Sequence, residues 1–323
     1  MDITELVAQL QKGERRALAK AITLVESTQS NHREQAAQLL ELIMPLTGNS
    51  IRLGISGVPG VGKSTFIEAF GNHVINQGHS VAVLAVDPTS AVSGGSILGD
   101  KTRMETLSRN DKAFIRPSPA GKTLGGVTRR TRETMLLCEA AGFDVIFVET
   151  VGVGQSETAV AEMTDMFLLM LLPGGGDELQ GIKRGIMELA DLILVNKSDG
   201  DQQVVANRTV SDYQMALHFL HPRSRNWQAS VQSISSLKNQ GIDEVWKTVE
   251  EYRETLSNTG EIESRRAAQS RAWLWSETAD ALLTELKENY AVKSLVKELE
   301  HDVMEGRTTP TIAARKLIDA FRK

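Results

Sequence analysis

The chain opens with apolar positions at helical spacing: Ile3, Leu6, Val7 and Leu10, then Leu18, Ile22 and Val25, then Leu39, Leu40 and Ile43. Ser27–Asn31 separates the later groups, and Pro45 with Gly48 closes the segment. From residue 51 the period changes. Short apolar runs, Ile51–Ser56, Val81–Val86, Ala113–Arg116, Val145–Val148, Met166–Leu172, Leu192–Val195 and Val231–Ile234, alternate with amphipathic stretches. Several runs are apolar on both faces, which predicts an α/β fold whose mostly parallel sheet is covered by helices on both sides. After residue 260 the pattern is helical again and highly charged, with Trp273, Leu274, Leu282, Leu283 and Leu286 as apolar positions. The expected organisation is an N-terminal helical extension over 1–49, an α/β domain over 50–258 and a C-terminal helical arm over 259–323. Such an arm is read equally as a solvated cap or as a dimer contact.

Ligands of a parallel sheet collect at the carboxyl ends of its strands, and the distinctive residues follow those ends. Gly57, Val58, Pro59, Gly60, Val61, Gly62, Lys63 and Ser64 fit G-x-x-x-x-G-K-[ST], with a strand before them and a helix continuing from Thr65. Glycines let backbone N–H groups turn onto phosphates, and the helix adds its positive end. Lys63 is placed for the β/γ oxygens and Ser64 for Mg²⁺. The fold expected is that of a P-loop NTPase. Gly121-Lys-Thr123 is not a second such loop, because Arg116 stands where its first glycine is required.

Asn196-Lys197-Ser198-Asp199 closes another apolar run as N-K-x-D. One carboxylate can accept from both N1 and the exocyclic amine of guanine, whereas adenine offers an acceptor at N1. That predicts GTP and GDP as substrate and product. Ser235, Ser236 and Leu237 follow a later strand and fit a loop that closes over the base.

Asp87 and Glu149 end two of the runs, and acidic groups beside a phosphate loop suit magnesium or its waters. Between them lies the glycine-rich segment 93–103. Glu149-Thr-Val-Gly152 keeps the spacing of the D-x-x-G of regulatory GTPases with a longer acid, and Val153 stands where Ras-like proteins carry a water-orienting glutamine. Slow intrinsic turnover is expected. Pro173-Gly-Gly-Gly-Asp177-Glu-Leu-Gln180-Gly-Ile-Lys183 reads as a mobile functional loop, and Arg129, Arg130 and Arg132 as a solvated helix face.

Composition narrows the partners. A formal charge of −5 across 323 residues argues against general nucleic-acid binding. The longest apolar run, Phe167–Leu172, falls far short of the ~20 residues that span a bilayer. The acidic start lacks the features of a signal peptide, so a cytoplasmic protein is expected. Cys138 is the single cysteine, in a helical pattern that suggests a small buried hydrophobe.

With these residues placed, the chain closely resembles the MeaB/ArgK family of methylmalonyl-CoA mutase-associated GTPases over nearly its whole length. The most specific stretches are Val86-Asp-Pro-Thr-Ser with Gly94–Met104, Glu149-Thr-Val-Gly-Val-Gly-Gln-Ser-Glu157 and the loop through Lys183. The resemblance implies that Ser64, Asp87, Asp100 and Glu149 surround magnesium. It implies a homodimer, and it makes the loop carrying Asp177, Gln180 and Lys183 a third switch with a catalytic share. The partner implied is methylmalonyl-CoA mutase, whose adenosylcobalamin loading such a chaperone gates and which it protects or reactivates. The alternatives are a kinase or GTPase regulator of arginine/ornithine transport, and a nickel-type metallochaperone. The six scattered histidines and lone Cys138 argue against the last. Calorimetry with Mg·GDP and Mg·ADP should show at least a ~100-fold preference for guanine, discounted from the limit for polar mismatches. Comparable affinities would remove Asn196 and Asp199 from base reading.

Overall fold

The apolar runs become the seven parallel strands β1 Ile51–Gly57, β2 Val81–Val86, β3 Ala113–Arg116, β4 Val145–Thr150, β5 Met166–Leu171, β6 Leu192–Val195 and β7 Ser230–Ser233. They lie in the order β3-β2-β4-β1-β5-β6-β7, and every neighbouring pair is parallel. The structure, a computed structural model, describes residues 2–27, 29–86, 104–117, 124–150, 156–174, 184–220 and 222–322.

Side chains alternate across a strand, so each strand feeds two cores. Ile51, Leu53 and Ile55 of β1, Phe147 of β4 and Met166, Leu168 and Met170 of β5 pack with the helices Lys63–Asn76 and Ile242–Asn258. Ala82, Leu84, Ile146, Val148, Phe167, Leu169, Ile193 and Val195 face the other way, towards the helices Leu124–Ala140, Ser156–Ala161 and Gln203–Leu217. The N-terminal helices Ile3–Gln11, Arg15–Glu26 and Ser30–Ile43 share this second core, burying Leu6, Leu10, Leu18, Ile22, Leu39 and Ile43. Cys138 is fully buried there.

At the amino edge of the sheet, charges replace apolar contacts. Glu139 accepts from Arg52 Nε at 2.8 Å and Arg52 Nη2 at 3.0 Å, and also from Gly48 N at 2.9 Å. Asp165 accepts from Arg52 N at 2.9 Å and from Arg266 Nε at 2.7 Å. Asp191 accepts from Phe167 N at 2.8 Å and lies 3.4 Å from Arg223 and 3.6 Å from Arg265. These carboxylates are almost wholly buried, and a buried charge is tolerated only when such bonds compensate it.

Residues Met1–Arg266 form one compact unit and Ala267–Lys323 a second. In the second, the end of the long helix Glu261–Glu288 is followed by Tyr290–Met304 and Pro310–Phe321. Asn289 caps the former by accepting from Ala291 N and Val292 N, and Thr309 caps the latter ahead of Pro310. This unit exposes Leu274, Trp275, Leu282, Leu283, Tyr290, Met304 and Ile312. Among the described residues no helix is long and apolar enough to cross a membrane.

The Glu139 pair gives a measurable pH dependence. Burial opposes the Glu139 charge, but the Arg52 bonds, with Ser50 and Gly48, outweigh it and hold the carboxyl below its ordinary range. A lowered folded pKa stabilises above the unfolded value of about 4.3 and is lost as pH falls through the folded one. Glu139→Ala should therefore cost about 3 kcal/mol in urea unfolding at pH 7. The difference from the parent should shrink below pH ~4; a pH-independent difference would show that the charge contributes nothing.

Candidate functional site

Because every strand is parallel, the carboxyl ends of β1, β4, β5, β6 and β7 meet along one edge. There β1 runs into the loop Gly57–Gly62, which Lys63–Asn76 continues as a helix with Gly62 at its cap. Gly62 has φ +96°, a left-handed conformation that glycine adopts without a Cβ penalty. Gly57 permits close approach of two strands: a Cβ there would stand 2.5 Å from Met170 O of β5.

The Lys63 side chain is buried, and its Nζ donates to Gly57 O at 2.7 Å and Val58 O at 3.4 Å. The ammonium thus folds back over the loop whose N–H groups would receive a phosphate. Burial pushes its pKa below the ordinary range, against the opposing pull of Glu149 and Glu157. Glu149 is itself buried, near the end of β4 and in register with Ile55 of β1. Beside it, Thr150 Oγ1 donates to Ser56 Oγ at 3.0 Å.

Asn196 follows β6 and is the hub of the edge. Its Nδ2 donates to Val61 O at 2.8 Å, and its Oδ1 accepts from Ser236 N at 3.1 Å and Ser236 Oγ at 2.8 Å. Lys197, held at a left-handed φ of 63°, reaches Gly60 O with its Nζ at 2.8 Å. Ser235 Oγ donates to Asp199 Oδ1 at 2.9 Å and fixes that half-buried carboxylate. Ser235 and Ser236 are buried, while Leu237 next to them is exposed. The P-loop, the N-K-x-D segment and the Ser235–Leu237 loop are therefore one bonded assembly. An open cleft of about 640 Å³ runs beside it, lined by Thr65, Glu68, Asn72, Ser236, Leu237 and Asp243. A second cavity, about 460 Å³, lies at the opposite edge against Asp191, Arg223 and Trp227, away from these loops.

A family model described as Methylmalonyl Co-A mutase-associated GTPase MeaB matches residues 18–291. The chain belongs to this family. A putative GTPase of Caulobacter vibrioides is 54% identical over 321 residues, covering 99% of this chain and 98% of its own. The mouse protein named Methylmalonic aciduria type A homolog, mitochondrial, is 48% identical over 330 residues, covering 99% of this chain and 80% of its own. The crystal structure of an LAO/AO transport system kinase superposes with a TM-score of 0.78 at 40% identity, covering 99% of this chain and 98% of that one. This MeaB-family chain is a P-loop GTPase in family and fold.

Five of the expected site residues, Asp87, Asp100, Asp177, Gln180 and Lys183, lie outside the described residues, as do 121–123 and Val151–Gln155. Of the four groups expected around magnesium, Ser64 and Glu149 are described. Both are oxygen donors at the phosphate edge, which suits Mg²⁺. Among the described residues no cluster of three or more His, Cys, Asp or Glu side chains could hold a metal ion. Arg129 pairs with Glu133 at 3.1 Å, and Arg132 donates to Glu162 O at 3.3 Å. Glu68 carries no cue in the sequence. From the P-loop helix it accepts from Thr106 N at 2.8 Å and Leu107 N at 3.2 Å, anchoring the short helix Glu105–Arg109.

Gly62 tests the assembly directly. An added Cβ would stand 2.7 Å from Asn196 Nδ2, an atom held in place by Val61 O, and would be strained at φ +96°. Gly62→Ala should displace Asn196, weakening Mg·GDP binding at least ~10-fold and narrowing the guanine-over-adenine ratio, since a buried polar group losing its partner costs ~1–3 kcal/mol. Calorimetry with both nucleotides reads this; an unchanged ratio would uncouple the P-loop from base recognition.

Proposed function

We propose that this chain is a GTP-hydrolysing chaperone of methylmalonyl-CoA mutase, gating adenosylcobalamin loading and protecting or reactivating that enzyme. The observation that carries the reading is the family match across residues 18–291, on a chain whose phosphate and base loops are joined through Asn196. In this reading the N–H groups of Gly57–Ser64 and the helix end bind the phosphates. Lys63 leaves Gly57 O to neutralise the β/γ oxygens. Asp199, steadied by Ser235, accepts from guanine, while Asn196, Lys197 and Ser235–Leu237 enclose the base. Ser64 and Glu149, with Asp87 and Asp100, hold Mg²⁺, which when bound offsets phosphate charge.

Turnover without a partner is slow, because Val153 replaces the glutamine that orients water in Ras-like enzymes. The loop with Asp177, Gln180 and Lys183 carries the nucleotide state to the mutase. A homodimer through residues 259–323 belongs to the same proposal, supported by the exposed apolar side chains of that segment. A second reading, a kinase serving amino-acid transport, is favoured by the name of the solved relative at 40% identity. It requires phosphoryl transfer to a protein acceptor, which incubation with γ-labelled GTP and candidate acceptors would reveal.

Nucleotide affinity and partner response should separate at Lys183. Lys183→Ala should leave GDP affinity unchanged and reduce mutase-stimulated turnover about tenfold, or about 1.4 kcal/mol in barrier. The measurement is GTPase rate against added methylmalonyl-CoA mutase beside a GDP titration. Full stimulation of the variant would take the loop out of the mechanism, and absence of stimulation in the parent would remove the partner.

A further inference from the structure

Two hydrogen bonds tie the chain leaving β5 to the chain leaving β6. Leu171 ends β5 in register with Val195 of β6, and Asn196 N donates to Leu171 O at 2.9 Å. Further along the same chain, Gly174 N donates to Thr209 Oγ1 at 3.0 Å. Thr209 lies in the helix Gln203–Leu217, which the 3-10 turn Gly200–Gln202 joins to Asp199. Both anchors therefore belong to the N-K-x-D segment or to the helix that follows it.

Thr209 is buried to 5% exposure in the middle of that helix. A threonine so placed can turn its hydroxyl back on the carbonyl four residues earlier, and Thr209 Oγ1 donates to Val205 O at 3.0 Å. A hydroxyl has a single hydrogen. With that hydrogen committed, the oxygen meets Gly174 as an acceptor. Val205 shares this face of the helix, one turn away, and its side chain closes the same contact: a Cβ on Gly174 would stand 3.2 Å from Val205 Cγ1. Gly174 also has φ +77°, a left-handed conformation that glycine adopts without a Cβ penalty. The junction thus combines a bonded amide, a hydroxyl of fixed polarity and a turn that excludes a side chain. Neither Thr209 nor Gly174 has a part in the function proposed above.

We propose that Thr209 is a positioning residue that couples the base site to the start of the loop through Lys183. Guanine held by Asp199 restrains the turn that opens the helix Gln203–Leu217, and Thr209 passes that restraint to the Gly174 amide. The proposal rests on the guanine reading of Asp199 and gives the loop a route by which it senses the nucleotide.

Thr209→Val keeps the shape of the side chain and removes the acceptor. The measurement is hydrogen exchange of the Gly174 amide in the full-length protein, with and without saturating Mg·GDP. In the parent, Mg·GDP should slow this exchange about fivefold, the factor carried by one hydrogen bond of ordinary strength. In Thr209→Val that nucleotide-dependent difference should vanish, and in Thr209→Ser, which keeps the hydroxyl, it should return. Because coupling is reciprocal, Thr209→Val should weaken Mg·GDP binding by no more than the same factor. A threonine that merely braces the fold would leave the parent's exchange unresponsive to Mg·GDP, and that outcome overturns the proposal. So does a difference that survives in Thr209→Val, or a larger loss of affinity, which would place Thr209 in the nucleotide site itself. Thr209→Ala also lacks the acceptor and takes the place of Thr209→Val if the latter does not fold. None of these measurements needs the mutase, so they decide the role of Thr209 separately from the identity of the partner.

Discussion

The carboxamide of Asn196 is the contact on which the rest of the site depends. It bonds both to the loop after β1, at Val61 O, and to the loop after β7, at Ser236. An amide has a donor and an acceptor end, and both are engaged in a place where an unmade bond would cost its full desolvation. Because the contact is buried, it also demands that nothing intrude. Gly62 meets that demand by having no side chain. The P-loop, the N-K-x-D segment and the Ser235–Leu237 loop are therefore held together through the hydrogen bonds of one side chain.

The sheet divides its labour between its edges. At the carboxyl edge the polar groups belong to loops and are arranged around a space for a ligand. At the amino edge Glu139, Asp165 and Asp191 are buried and bonded to Arg52, Arg223, Arg265 and Arg266. Those pairs fix where β1, β5 and β6 begin, and through the stiffness of paired strands they fix where Gly57, Leu172 and Asn196 emerge. Such ion pairs add less net stability than their number suggests, but they set strand positions that apolar packing alone leaves free to slide.

The P-loop lysine shows the same economy. Its ammonium is buried and donates to Gly57 O.

Much of this was legible in the chain. The seven apolar runs are the seven strands because runs apolar on both faces can be satisfied only inside a covered parallel sheet. The P-loop and N-K-x-D motifs were legible because their chemistry is local: glycines, a lysine, an amide and a carboxylate at fixed spacing near strand ends. Strand order was not, since pairing β1 between β4 and β5 joins residues about a hundred positions apart. Nor was the sharing of a core between the N-terminal helices and the sheet, as an amphipathic stripe does not name the surface it covers. Glu68 and Glu139 carry no cue in the sequence. Only the tertiary structure, by bonding Glu68 to Thr106 and burying Glu139 against Arg52, made each a constrained charge. Sequence determines which groups are available and how the backbone can turn; the fold decides which lose their water, and hence which must find a partner.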